Sequence, residues 1–294
     1  MQLSLSLYLR RSHITLRSLS AYLALLRPVN CLIVSGSVFV GAFIAGVSGN
    51  FLTVLAAGLS AALIAGGANG INDFYDAAID RVNKPWRPIP SGRVGKREAF
   101  VWSTCLLVLG VAVGGIVGNL LLIVALGAAI SVFLYSFWLK RTPFWGNLTV
   151  SLLCGLAFLY GGISVGKPKA SLIPAWLAFL FHLGREIIKD AQDCQADASV
   201  GASTAPVRFG LKTALRTTTA VYTMLLATLF LPYLFGIYHR FYLLAICIGV
   251  VPVLCYVIWS MWQDYSPQNL SRLSTLLKLA MVIGLLAILL GTKF

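Results

Sequence analysis

Long apolar stretches, separated by short polar and basic segments, fill almost the whole chain. A helix needs roughly 20 mostly apolar residues to cross a bilayer. Nine stretches meet or approach that length: 28–48, 51–71, 99–118, 119–139, 144–166, 171–190, 217–238, 241–262 and 273–292. The sequence therefore predicts an all-α, polytopic membrane protein with about nine transmembrane helices.

Composition agrees with this pattern. Of the 294 residues, 59% are hydrophobic and 11% are charged, and the mean hydropathy is +0.86. A water-soluble domain could not carry such a surface. Residues 28–294 are predicted to form one transmembrane domain. Residues 1–27 are basic, and the first 20 contain no acid, which is typical of an interfacial amphipathic helix or of a targeting segment.

The net charge of +14 reflects membrane topology rather than nucleic-acid binding, because the bases flank the predicted spans instead of clustering on one face. On a nine-span topology, 19 of the 23 Lys and Arg residues lie on the N-terminal side and four on the other. By the positive-inside rule, the N-terminus and the large loops face the cytoplasm of a cell-membrane protein.

The nine acidic residues all lie on that side, and seven of them form two clusters. Asn72, Asp73, Asp76 and Asp80 follow the second span and share a helical arc of about 100° with Asn69. The second cluster follows the sixth span and occupies an arc of about 60°. Its members are Glu186, Asp190, Asp193 and Asp197.

Such faces need a compensating cation, because like charges at this spacing destabilise a helix and are costly beside hydrocarbon. Donors that are all oxygens favour magnesium or calcium, and magnesium usually shares its site with substrate phosphate. The alternative is that the acids only pair with nearby Arg and Lys. However, the helical face of Asn72, Asp76 and Asp80 carries no base of its own.

Basic side chains between the clusters suit the oxygens of a diphosphate. Lys84, Arg87 and Arg93 lie in the first loop, and Lys140 and Arg141 follow the fourth span. The last two could instead anchor the topology. Arg185 and Lys189 could hold a phosphate on the acceptor, or they could balance the charge of the neighbouring acids.

At these residues the sequence resembles the UbiA superfamily of intramembrane prenyltransferases. Asn72, Asp76 and Asp80 match its first Asp motif, and Asp193 and Asp197 match its second. Three further segments resemble the superfamily: Arg27-Pro28-Val29-Asn30, Arg87-Pro88-Ile89-Pro90-Ser91-Gly92 and the stretch from Tyr135 through Lys140-Arg141 to Gly146-Asn147.

The resemblance implies nine helices around a central cavity open to lipid, and Mg2+-dependent transfer of a prenyl group from its diphosphate to a lipid or aromatic acceptor. It implies Mg2+ ligands at Asn72, Asp76, Asp80, Asp190, Asp193 and Asp197, with Asp73 also catalytic. Asn30, Tyr135 and Asn147 join the basic residues as substrate-binding candidates. Tyr135 and Tyr160 could stabilise an allylic cation, or they could simply pack.

Within the superfamily, Gly184-Arg185-Glu186-Ile187-Ile188-Lys189-Asp190 most resembles the geranylgeranylglycerol-phosphate geranylgeranyltransferases of ether-lipid synthesis. Gln195-Ala196 departs from the Glu-Gly common in those enzymes. Chlorophyll-synthase-like or quinone-ring prenyl transfer is the alternative. A transporter is a remote alternative, because transport carboxylates are expected near mid-membrane on interrupted helices.

Overall fold

The fold is a set of long apolar α-helices. The computed structural model describes residues 19–46 and 51–292, so the predicted interfacial helix at the N-terminus lies outside the described residues. Within those residues, eight helices are long and apolar enough to cross a membrane, and a ninth span results if Leu19–Leu26 and Pro28–Ile44, bent by 46°, form one crossing. The predicted fold class is confirmed.

Twelve α-helices lie within the described residues, and the long ones coincide with the predicted spans over most of their length. They are α1 (Leu19–Leu26), α2 (Pro28–Ile44), α3 (Phe51–Asn83), α4 (Lys96–Val117), α5 (Asn119–Phe137), α6 (Trp145–Ser164), α7 (Leu172–Ser199), α8 (Ala205–Phe209), α9 (Leu211–Leu234), α10 (Arg240–Ala245), α11 (Val251–Gln263) and α12 (Pro267–Gly291). A π-helical turn, Ile246–Val250, joins α10 to α11 just before Pro252, which has no N–H to donate.

Two helices extend well past the hydrophobic stretches that predicted them. α3 continues to Asn83 and α7 to Ser199, so each carries its Asp cluster on its C-terminal turns. This confirms that the residues of each cluster share a helix.

The described residues divide into two compact units. The first contains residues 19–35 and 58–137, and small residues bring its helices close together. A Cβ on Gly67 would lie 2.7 Å from the Ser103 carbonyl oxygen on α4, and one on Gly70 would lie 2.0 Å from the Ser103 hydroxyl. Ser60 donates a 2.6 Å hydrogen bond to the Gly110 carbonyl.

The second unit contains residues 36–46, 51–57 and 138–292. Its core is a cluster of apolar side chains from α7, α9, α11 and α12, with Ile188, Tyr222, Leu254 and Leu277 fully buried. The C-terminal half of α2 packs on α6 through Gly161, where a Cβ would lie 2.0 Å from the Val38 carbonyl oxygen.

Large apolar side chains that face outward are numerous, as a bilayer solvent requires. Val108, Ile123 and Leu290 are each more than 60% exposed. Together with the spans, this surface identifies a multi-pass membrane protein.

Candidate active site

The first Asp cluster lies on the last turns of α3, where its members have different partners. Asp73 and Asp80 are buried, with relative exposures of 2% and 3%, whereas Asn72 and Asp76 are partly exposed. Asn72 Nδ2 donates to Asp76 Oδ2 at 2.9 Å. This bond orients the Asp76 carboxylate relative to the Asn72 amide.

Arg87 returns from the loop after α3 to bind two of these aspartates. Its guanidinium donates to Asp73 Oδ1 at 3.1 Å and also to Asp80 Oδ2. The helical face itself carries no base, as the sequence indicated, but the loop supplies one seven residues after Asp80. Arg27 forms a second ion pair with Asp73, and no local sequence pattern identifies this contact.

The other residues predicted in this unit differ in burial and in their contacts. Arg93 is exposed and shapes its own loop, with Nη2 donating to the Trp86 carbonyl at 2.7 Å and Nε to Ser91 at 3.1 Å. Lys84 and Asn30 are exposed, and Tyr135 is partly buried near the end of α5. Their substrate contacts remain predictions.

The second Asp cluster lies on the last turns of α7. Asn147 Nδ2 donates to Asp190 Oδ2 at 2.9 Å, and Thr204 Oγ1 donates to Asp197 Oδ2 at 3.1 Å. Asp193 is exposed. The structure therefore brings predicted residues of α6 and α7 together and adds Thr204, a hydroxyl donor from the following loop that the sequence did not single out.

The loop carrying Lys140 and Arg141 is tied to the loop after the second cluster. Leu139–Arg141 forms a 3-10 helix, and the Arg141 carbonyl accepts a 2.9 Å hydrogen bond from the Ser203 amide. The rings of Phe144 and Phe209 stack 6.1 Å apart nearby. These contacts hold a basic segment beside the end of α7.

Arg185 and Lys189 share one buried carboxylate. Glu186 Oε1 lies 2.8 Å from Arg185 Nη1, and Glu186 Oε2 lies 3.5 Å from Lys189 Nζ. The Arg185 side chain is 13% exposed and that of Lys189 is 41% exposed. Lys189 thus keeps access to a ligand, while Arg185 is largely occupied by charge balance.

The donor chemistry fits magnesium that is shared with a substrate. No three His, Cys, Asp or Glu side chains among residues 19–46 and 51–292 form a group able to hold a metal by themselves. Each cluster instead offers carboxylate oxygens, and the first adds an amide oxygen. Magnesium typically takes one or two carboxylates and completes its octahedron with water and phosphate.

Residues 34–289 match the UbiA prenyltransferase family. The chain belongs to this family. It is therefore a prenyltransferase, an enzyme that transfers alkyl groups other than methyl, and not the transporter that the sequence left as a remote alternative.

Named relatives cover nearly all of the chain. The digeranylgeranylglyceryl phosphate synthase of Methanopyrus kandleri is 38% identical over 92% of this chain and 98% of its own length. That of Methanothermobacter thermautotrophicus is 34% identical, over 93% and 96%.

Solved structures share the fold. A digeranylgeranylglyceryl phosphate synthase structure is 31% identical, with a TM-score of 0.78 over 94% of this chain and 98% of that one. A UbiA homologue from Archaeoglobus fulgidus bound to DMAPP and Mg2+ is 22% identical, with a TM-score of 0.66 over 91% and 99%. The second similarity supports the fold alone.

Proposed function

We propose that this prenyltransferase moves a geranylgeranyl group from its diphosphate to geranylgeranylglycerol phosphate, with Mg2+, at the cytoplasmic face of the cell membrane. The observation that carries the proposal is the identity of 38% and 34% to two digeranylgeranylglyceryl phosphate synthases over more than nine-tenths of each chain. The segment from Gly184 to Asp190, which precedes the second Asp motif, supports the same subfamily of ether-lipid enzymes. The departure at Gln195-Ala196 lies on an exposed stretch of α7 and bears on the choice of acceptor more than on prenyl transfer itself.

The reaction joins an oxygen to an allylic carbon. The acceptor hydroxyl oxygen forms a bond to C1 of the prenyl donor, the bond between C1 and the diphosphate oxygen breaks, and the hydroxyl proton is released. Diphosphate leaves with the electron pair of the broken bond. The enzyme must therefore stabilise negative charge that develops on the leaving group.

The chain's own residues would hold the leaving group. Bound magnesium would supply Lewis-acid stabilisation of the diphosphate. The magnesium ligands on α3 would be Asn72, Asp76 and Asp80. Those on α7 would be Asp190, Asp193 and Asp197. The hydrogen bonds from Asn72 to Asp76 and from Thr204 to Asp197 pre-orient two of these carboxylates, so little reorganisation is needed when the ion and substrate arrive.

A phosphate-bearing acceptor needs cationic groups to offset repulsion from the donor diphosphate. Lys189 suits this role, because its side chain is 41% exposed and its ammonium lies 3.5 Å from Glu186, which orients the ammonium. We expect Lys189→Ala to raise KM for the acceptor by about tenfold while changing KM for geranylgeranyl diphosphate by less than about threefold.

The matched control is Lys212→Ala, which removes an exposed lysine at the start of α9. It should leave both constants unchanged. An acceptor panel completes the test, with geranylgeranylglycerol phosphate, 4-hydroxybenzoate and a chlorophyllide offered to the purified protein. Turnover of an aromatic ring or a chlorophyllide, without turnover of the glycerol phosphate, would overturn the proposal and leave prenyl transfer standing.

The orientation rests on the 19-to-4 division of Lys and Arg between the two sides of the predicted topology. Both Asp clusters end their helices on the basic side. The active site therefore faces the cytoplasm in this proposal.

A further inference from the structure

The break between α1 and α2 is held in an unusual backbone conformation. The two helices meet at 46°, and Arg27 at the break has φ +51°. Side chains other than glycine seldom adopt this region. A conformation of this kind persists only where the surrounding structure over-determines it, so contacts from other elements must hold Arg27 and its neighbours in place.

One face of α3 supplies those contacts. A Cβ on Gly66 would lie 2.8 Å from Leu26 Cδ2, so the glycine lets the break approach α3 closely. Asn69 Nδ2 donates a 2.8 Å hydrogen bond to the Leu26 carbonyl. Asp73, one turn further on, accepts from Arg27. These three α3 residues fall within a helical arc of about 60°.

Asp73 forms ion pairs with two guanidinium groups, one at the α1–α2 break and one in the loop after α3. Its residue exposure is 2%, and its Oδ1 accepts from Arg27 and, at 3.1 Å, from Arg87. Arg87 also binds Asp80. Two cations already border Asp73 Oδ1, whereas Asp80 accepts from Arg87 alone of these two, so a divalent ion would be repelled more strongly at Asp73. Asp76 differs from Asp73 in being partly exposed, and it accepts a hydrogen bond from the Asn72 amide.

We propose that Asn69 and Asp73 are positioning residues that fasten the α1–α2 break to α3, and that Asp73 acts on the reaction through Arg27 and Arg87 rather than as a magnesium ligand. The part of this inference that concerns catalysis rests on the proposed function. Through Arg87, Asp73 helps to fix the Asp80 carboxylate, a proposed metal ligand. Sequence adjacency alone would group Asp73 with Asn72 and Asp76.

The fastening is tested by a double-mutant cycle in apparent melting temperature, which does not depend on activity. Asp73→Asn and Arg27→Gln should each lower it by about 5–10 °C, since the first leaves half-buried Arg27 without this carboxylate and the second leaves buried Asp73 with Arg87 in place of two guanidinium partners. The double variant should lose clearly less than the sum of the two shifts. The control cycle pairs Arg27→Gln with Asp264→Asn, whose carboxylate accepts from Ser266 in the turn before α12, and should be additive. Additive shifts in the first cycle would overturn the proposal.

The metal assignment is tested by Mn2+ binding in the presence of inorganic pyrophosphate, followed by electron paramagnetic resonance. Asp73→Asn should keep the dissociation constant for Mn2+ within about threefold of that of the unchanged protein, whereas Asp76→Asn should weaken binding at least about tenfold. Equal weakening by both variants would show that Asp73 is a ligand.

The structural claim and the metal claim can be tested separately. If Asp73→Asn does not fold, Asn69→Ala removes only the hydrogen bond to Leu26. It should lower the melting temperature while leaving Mn2+ binding unchanged, and weakened Mn2+ binding there would contradict the positioning role. Failure of the unchanged protein to bind Mn2+ with pyrophosphate would contradict the proposed metal chemistry. The double-mutant cycle in melting temperature would still test whether Asp73 attaches the α1–α2 break to α3.

Discussion

Replacing Arg87 by glutamine removes the cation that Asp73 and Asp80 share. The carboxylate side chains are 3% and 5% exposed, and the Arg87 side chain is 19% exposed. Asp73 keeps Arg27 as a partner, so the main loss falls on Asp80. The variant therefore leaves a nearly buried carboxylate without the guanidinium that neutralises it.

The expected cost follows from the burial of the pair. Removing one partner of a buried ion pair destabilises a protein by about 3–5 kcal/mol. Arg87 retains some contact with solvent, which favours the lower end of that range. For a chain of this size, about 3 kcal/mol corresponds to roughly 6–12 °C in melting temperature. Arg87→Lys keeps a charge but loses the planar fork that spans two carboxylates, so it should restore only part of this stability.

The measurement is the apparent melting temperature of detergent-purified protein, with Arg93→Gln as the control. Arg93 lies in the same loop, is exposed, and donates to Trp86 and Ser91 of that loop. We expect Arg93→Gln to shift the melting temperature by less than about 3 °C. An Arg87→Gln variant as stable as Arg93→Gln would refute the reasoning, because it would show that Asp80 does not need its guanidinium partner.

Gly41→Ala should severely reduce the yield of folded protein, because its Cβ would lie 2.1 Å from the Phe158 carbonyl oxygen. The control is Gly36→Ala on the same helix, whose Cβ would meet nothing within 4 Å, and size-exclusion chromatography measures the folded yield of both variants. Activity should disappear in excess chelator, and single Asp→Asn changes should each lower kcat roughly a hundredfold or more at Asp76, Asp80, Asp193 and Asp197. In a variant whose six native cysteines are replaced, single cysteines introduced near Lys84 and Val200 should react with impermeant thiol reagents only from the cytoplasmic side. Labelling from the opposite side would reverse the topology.

The spans and both Asp clusters could be predicted because they depend on short-range periodicity. A hydrophobic stretch long enough to cross a bilayer can satisfy its backbone only as a helix. The i,i+4 spacing of Asn72, Asp76 and Asp80 places those residues on one helical face wherever the helix lies. The sequence predicted the second span only to residue 71, whereas α3 continues to Asn83, because polar residues can extend a helix beyond the hydrocarbon.

The partners of the aspartates could not be predicted in the same way. Arg27 and Asp73 are 46 positions apart, and Asn147 and Asp190 are 43 apart, so only tertiary packing brings them together. Hydropathy also does not reveal which glycines permit close helix packing. Gly41 and Gly36 look equivalent in the sequence, yet a Cβ would clash at only one of them.

The most direct test of the central claim is the identity of the product made by purified protein from geranylgeranyl diphosphate, geranylgeranylglycerol phosphate and Mg2+. The account predicts a lipid whose mass equals the acceptor plus one geranylgeranyl group less one hydrogen. Fragmentation should show an intact phosphomonoester and a second ether on the glycerol, and the product should not form in excess chelator. A prenyl group found on the phosphate, or prenylation of an aromatic acceptor with no turnover of the glycerol phosphate, would contradict it.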